Sequence, residues 1–300
     1  MIPDSITFVN GKGGVGKTSI CVNTAGLLAN SGWKVLIVEL DKQANLARNL
    51  GYRDHPDNDH GKALFQALLI EDHELTVPLR DVRPGLDVIS AGKTMKPLAA
   101  GLTATRFDHL LLGRKLAPLA GDYDLILIDA PPDGGPMTQL ALGASEGVVI
   151  PVNADYGTLD GLEIIGEDFA EAREAGNTLL RLLGVALFQM PTSATRVREE
   201  IRDAAVEVLA GIAPVFESEI RQTTAAGFHQ RRDARLSYEY EHAAQNEIKD
   251  KMQALKSGDR TALAARGAGY SSSASGLAAD YAGLVEEIII RLRDRSGVAV

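Results

Sequence analysis

Two lysines, a threonine and three carboxylates in this chain of 300 residues have the types and spacing that phosphate chemistry needs. Gly11-Lys12-Gly13-Gly14-Val15-Gly16-Lys17-Thr18 fits G-x-x-x-x-G-K-[ST], a loop whose successive backbone N–H groups turn inward on an anion. The glycines supply the unusual φ/ψ values that this requires and keep Cβ atoms out of the way. Lys17 then offers a point charge to β/γ-phosphates, and Thr18 a hydroxyl to Mg²⁺. Lys12 is a second cation inside the loop, starting on the far side of the turn from Lys17. Spacing alone leaves it open whether Lys12 is a solvated surface lysine or a charge held for a phosphate on a neighbouring subunit.

The carboxylates come at the ends of apolar runs. Residues 34–40 (KVLIVEL) carry Glu39 at their end and are followed by Asp41, and residues 123–129 (YDLILID) end in Asp129, followed by Ala130-Pro131-Pro132. Near-continuous β-branched runs of this kind read as parallel strands covered on both faces. In a doubly wound sheet, ligands gather at the carboxyl ends of strands, so all three acids are expected beside the glycine-rich loop. Period-two alternation puts Glu39 and Asp41 on one side, where either can orient water or outer-shell Mg²⁺. Asp129 can hold a water on the same metal.

The elements that must position these groups follow in order. Residues 6–10 read as a strand and 19–30 as a helix, which places the loop between them. Further strands are expected at 86–90, 147–152 and 182–189, and helices at 62–69, 106–119, 158–175 and 277–293. This order predicts an α/β fold, a doubly wound, mostly parallel sheet flanked by helices. One domain over 1–300 suits the length, with 242–276 as an insertion built of a mixed-charge helix and a Gly/Ser-rich loop. Residues 51–61 are turn-rich, and His55 and His60 lie among aspartates there as a weak metal motif.

Composition excludes several classes. Cys21 is the single cysteine, so no disulfide framework or intrachain cysteine cluster exists, and its place on the first helix reads as a small buried hydrophobe. No run of eighteen apolar residues and no leader is present, so a soluble, intracellular protein is expected. A net charge of −9 argues against the whole chain as a polyanion binder, so any DNA contact must be a local patch. Arg221, Arg231, Arg232 and Arg235 stand against the single acid Asp233. Arg196, Arg198 and Arg202 precede them, diluted by Glu199, Glu200 and Asp203.

The segments KGGVGKT, VLIVELDKQANLARNLG, YDLILIDAPPDGGPMTQLALGASEGVVIPVNADYGTLDGL and PVFESEIRQ resemble the ParA partition ATPases of the deviant Walker A P-loop class. The resemblance runs from residue 5 to about 240 and resumes near 271. It implies ATP and Mg²⁺, with Gly11, Lys12, Gly13, Gly14, Val15, Gly16, Lys17, Thr18 and Ser19 around the phosphates. Lys12 corresponds to the signature lysine that reaches a partner's phosphates in an ATP-sandwich homodimer. Lys17 and Thr18 correspond to the P-loop lysine and the Mg²⁺ ligand, Asp41 to the acid that positions the attacking water, and Asp129 to the Walker B acid. Glu39 departs from the family, which has Asp there. The region 185–191 with Ile220 resembles the adenine-holding segment, Met190 being the residue chosen.

The same resemblance implies slow ATP hydrolysis, non-specific DNA binding through Arg196, Arg198, Arg221, Arg231, Arg232 and Arg235, and stimulation by a ParB-like centromere-binding protein. A cytoplasmic, nucleoid-associated role in segregating plasmid, prophage or chromosomal DNA is expected. A MinD-like membrane-cycling ATPase, or one positioning a protein cargo, is the alternative, and the acids before the 277–293 tail favour a packed helix over a membrane anchor.

Overall fold

The computed structural model describes residues 1–104, 107–132, 134–155, 157, 160–209, 213–223, 232–257 and 274–294. The elements are β1 (Ser5–Phe8), α1 (Lys17–Asn30), β2 (Val35–Glu39), α2 (Asn45–Leu50), α3 (Lys62–Leu69), β3 (Leu79–Arg83), β4 (Leu86–Ile89), α4 (Met95–Ala104), α5 (Leu111–Ala120), β5 (Leu125–Asp129), α6 (Pro136–Ala144), β6 (Gly147–Asn153), α7 (Asp160–Glu174), β7 (Arg181–Met190), α8 (Thr195–Leu209), β8 (Ile220–Arg221), α9 (Ser237–Ser257) and α10 (Ala274–Arg293).

Eight strands form one sheet in the order β3-β4-β2-β5-β1-β6-β7-β8. Every pairing is parallel except β3 with β4. The central strands are apolar throughout because helices cover both faces, and alternation sends their side chains to two cores. Leu36, Val38, Ile126 and Ile128 join one core with α3, α5 and α6. Val35, Ile37, Leu125 and Leu127 join the other with α1, α9 and α10. Leu277, Tyr281, Leu284, Ile288 and Leu292 of α10 are all buried there, as their spacing predicts. Among the described residues no helix is long and apolar enough to cross a membrane.

The parallel α/β reading holds, and its misses are local. The hairpin strand β3 has the exposure pattern of an edge strand and no apolar run, so periodicity gave no signal for it. The expected helix 106–119 starts later, at Leu111, because Asp108 Oδ1 accepts from Leu110 N and turns the chain there. Residues 242–257 continue α9 without a break, and 258–273 lie outside the described residues. Cys21 is fully buried in α1.

Candidate active site

β1 lies between β5 and β6, where the strand order reverses, and the loop that leaves it opens on the crevice at the carboxyl ends of the strands. Asn10 fixes the start of this loop. Its Nδ2 donates to Pro151 O (2.8 Å) and its Oδ1 accepts from Lys12 N (2.9 Å). Gly16 takes φ +100, a left-handed conformation that favours glycine, and a Cβ there would stand 2.5 Å from the Phe188 ring. Gly16 is the N-cap of α1, no side chain caps the helix, and its first turn has no acid. The free N–H groups and the positive end of the helix dipole are therefore left for an anion.

Lys17 is buried with its ammonium folded into the loop, donating to Asn10 O (2.9 Å) and Lys12 O (2.8 Å). Thr18 Oγ1 donates to Asp129 Oδ2 across 2.6 Å, while Asp129 Oδ1 is buried with no hydrogen-bond partner. Burial pushes the Asp129 carboxyl up to about 7; the Thr18 hydroxyl and the Lys17 charge pull the other way, and Asp41 adds to the rise. An acid held half-satisfied beside a threonine hydroxyl fits a small hard cation that takes its remaining ligands from phosphate and water. Among the described residues no group of three His, Cys, Asp or Glu could hold a metal by itself, the 51–61 loop included. Asp59 in that loop caps α3 through Ala63 N and Gly61 N.

Asp41 accepts from Gln43 N (2.9 Å) and lines the cleft. Glu39, although only two residues away, does not line it. Its Oε1 accepts from Leu46 N at the start of α2 (2.9 Å) and its Oε2 from Ala91 N after β4 (3.3 Å). The longer arm therefore serves local hydrogen bonding. Burial raises its carboxyl to about 8, against the Leu46 hydrogen bond and helped by Asp129, its register partner on β5.

The cleft has a volume of about 290 Å³ and is lined by Gly13, Gly14, Gly16, Lys17, Thr18, Ser19 and Asp41 from the sequence-derived set. Val15 is buried beneath the loop, Gly11 lies at its start, and Lys12 reaches the segment that follows β6. A Cβ at Gly157 would collide with Lys12 Nζ, so that ammonium rests against the backbone that follows β6 in the same chain. Phe188, Asn45, Arg48 and Asn49 also line the cleft and were not read from the sequence. The i, i+3, i+4 spacing of Asn45, Arg48 and Asn49 was the available signal, hidden by the shortness of α2.

A smaller cavity adjoins the cleft through Ser19, Asn49 and Phe188 and is walled by Ile220, Leu277 and Tyr281. Met190 does not line either space. Gln189 takes φ +54 and the β7–β8 register shifts between Phe188 and Met190, so Met190 turns to the opposite core.

Four of the six arginines read as a DNA patch are paired with carboxylates. Arg196 pairs with Glu200 (2.9 Å), Arg198 with Glu219 (2.7 Å), Arg221 with Asp280 (2.6 Å) and Arg232 with Asp233 (2.6 Å). Arg235 borders the smaller cavity, and Arg231 lies outside the described residues.

The sequence profile of the AAA domain family matches residues 4–182. The chromosome-partitioning ATPase Soj of Thermus thermophilus is 38% identical over 180 residues, which is 60% of this chain and 67% of that protein. The sporulation initiation inhibitor protein Soj of Bacillus subtilis is 32% identical over 200 residues, 66% of this chain and 78% of its own. In the fold alone, the Cyanothece McdA–ATP complex superposes with a TM-score of 0.71, covering 96% of each chain at 19% identity.

Proposed function

Since the chain belongs to the ParA-type ATPases of the ParA/MinD superfamily, we propose that it binds ATP with Mg²⁺ in this cleft and acts as a dimerisation switch in DNA segregation. The observation that carries the reading is the convergence of Lys17, Thr18 and Asp129 on one uncapped helix end, with an unpartnered Asp129 oxygen beside the Thr18 hydroxyl.

In this reading the loop N–H groups and Lys17 bind the β- and γ-phosphates, and Phe188 closes the side of the loop at Gly16. Mg²⁺, when bound, would neutralise phosphate charge; Thr18 would hold it directly, and Asp129 and Asp41 would hold its water. Asp41 also orients the attacking water. Lys12 leaves the Gly157 backbone and reaches the partner's phosphates, so ATP stabilises the dimer and its hydrolysis releases it. The ATP-bound dimer holds DNA without base specificity and a ParB-like protein stimulates turnover, which gives a cytoplasmic, nucleoid-associated cycle. The similarity to the chromosome-partitioning ATPase Soj of Thermus thermophilus supports the segregation role.

Light scattering with ATP and Mg²⁺, beside titration with a fluorescent nucleotide, tests it. The parent is expected to dimerise with ATP and to release phosphate slowly. Lys12→Ala is expected to remain monomeric while still binding mononucleotide. Dimerisation retained in that variant would refute the bridging role, and absence of nucleotide binding by the parent would refute the whole reading.

A further inference from the structure

With the α8 and β8 arginines neutralised, a different surface of the chain carries uncompensated positive charge. Arg48, Arg53, Lys62, Lys93 and Lys96 are all exposed, and among the described residues none has a carboxylate within ion-pair distance. They come from three segments that the fold gathers at the carboxyl-end rim of β2 and β4. Glu39 ties the start of α2 to Ala91. The Thr94 hydroxyl donates to His60 O (2.7 Å), and a Cβ on Gly61 would lie 3.0 Å from both Ala91 C and Gly92 N. The backbone at Lys62 therefore runs beside that at Lys93, and Lys96 follows Lys93 one turn further along.

The acids facing this rim are few. Asp54 and Asp57 are exposed, with Asp57 next to His55, and Asp59 is occupied by Gly61 N, Ala63 N and the Ser90 hydroxyl. Neither α3 nor α4 has an acid in its first turn, so both helix dipoles add positive potential at Lys62 and Lys93. On a chain of net charge −9 such a local field is what attracts a polyanion.

We propose that the rim formed by Lys62, Lys93 and Lys96, with Arg53 beside them, is a docking surface for the phosphate backbone of duplex DNA. Arg48 connects it to the nucleotide, because the same helix that borders the rim lines the cleft. Lysines on long flexible stems give contacts to phosphate that carry no base information and dissolve with salt. The proposal rests on the DNA-binding part of the reading above, and it moves the contact away from the paired arginines.

The test is fluorescence anisotropy of a random-sequence labelled duplex with the full chain, ATP and Mg²⁺, over a series of salt concentrations. Each phosphate contact contributes about 0.9 to the slope of log K against log salt, so Lys62→Gln/Lys93→Gln/Lys96→Gln is expected to lower the slope by roughly 2 to 3. Its affinity should fall by at least about tenfold at low salt, since three phosphate contacts are removed. ATP-dependent dimerisation, measured in parallel, should be unchanged, which shows that the fold is intact. Arg196→Gln/Arg198→Gln should bind within about twofold of the parent, as expected for surface ion pairs of small net worth. The proposal is overturned if the lysine variant keeps the parent's slope, if the arginine variant takes the loss, or if anionic vesicles and not duplex bind this rim. A parent that binds no duplex under any nucleotide condition overturns it together with the DNA-binding reading, whereas loss confined to the arginine variant leaves that reading standing.

Discussion

The ring of Phe188 occupies the place that a side chain on Gly16 would need, with Cγ and Cδ1 each 2.5 Å from the position of a Cβ. The two residues are 172 positions apart and lie on different elements, so the phosphate loop is shaped partly by the end of β7. Gly16→Ala meets both this ring and an unfavourable φ of +100. The expected loss is about 2–4 kcal/mol of stability, with nucleotide binding abolished. Adding Phe188→Leu should recover part of the melting temperature and none of the binding, because the φ penalty stays. Differential scanning fluorimetry with and without ATP reads both effects. Full recovery of nucleotide binding in the double variant would show that the ring, and not the backbone, is the constraint.

Asp41 is expected to act on turnover and not on folding. It is held by one Asx-type hydrogen bond from Gln43 N, and because Gln43 is exposed that donor can turn to water instead. Asp41→Ala should slow phosphate release by roughly 10²-fold or more, the scale of losing a group that positions and activates a water. Nucleotide binding should persist, so the ATP-bound dimer should accumulate in size-exclusion chromatography. A variant that hydrolyses ATP at the parent's rate would remove Asp41 from the chemistry.

Glu39 should behave in the opposite way. Its two oxygens hold Leu46 N and Ala91 N, so Glu39→Ala leaves two buried donors unsatisfied and is expected to cost about 2–4 kcal/mol. Glu39→Asp, on a shorter arm, cannot span both donors and should lose part of that stability. Phosphate release per folded molecule should remain close to the parent's in both. Urea titration gives the stability and a single-turnover assay gives the rate; a turnover collapse without destabilisation would place Glu39 in the reaction.

Arg83 is the clamp that joins α2, the segment before α9 and the β3–β4 hairpin. Its guanidinium pairs with Glu239 (2.5 Å) and donates to Leu50 O (3.2 Å) and Ala234 O (2.9 Å), and Glu239 in turn accepts from Leu236 N. Removing one member of such a half-buried pair leaves an uncompensated charge, so Arg83→Met should cost about 2–4 kcal/mol. Arg83→Met/Glu239→Met should cost less than the sum of the single changes, by double-mutant cycle in urea. Strict additivity would mean that the two side chains stabilise the fold independently.

Glu287 on α10 supplies a pH signature away from the cleft. Its carboxylate accepts from Glu217 N (2.8 Å) and Ser218 N (2.7 Å). Burial opposes its charge, but the hydrogen bonds from Ser218 and Glu217 and the nearby Arg202 outweigh burial and hold its carboxyl below the usual range. A depressed carboxyl contributes stability that is present above its unfolded value and lost as pH falls through its folded value. The parent's melting temperature should therefore drop more steeply below about pH 4.5 than that of Glu287→Gln. Parallel acid-side melting curves would disprove the contribution.

The loop, the two acid-bearing strand ends and the parallel sheet were legible because each is a local pattern: a glycine spacing, or an unbroken apolar run closed by a carboxylate. Lys17, Thr18, Asp41 and Asp129 were read in this way, and the fold brings the first three to one cleft with Asp129 on the Thr18 hydroxyl. What stayed illegible depends on distant partners. Met190 was chosen for the base from the resemblance of 185–191, and the left-handed Gln189 before it sends its side chain to the opposite core. Arg221 is basic in sequence, yet Asp280, 59 residues on, neutralises it, and Glu219 does the same for Arg198. A charge count along the chain cannot see either carboxylate. Glu39 and Asp41 share a strand side by period two, but the chain turns at Asp41, and only Asp41 reaches the cleft.

Sealing the lone thiol inside α1 makes the native chain chemically silent toward maleimide dyes. One cysteine introduced at an exposed site would be the single address such a reagent finds. Paired donor and acceptor labels on two pools of the same variant would then report subunit exchange in real time, with no prior removal of Cys21 from the core.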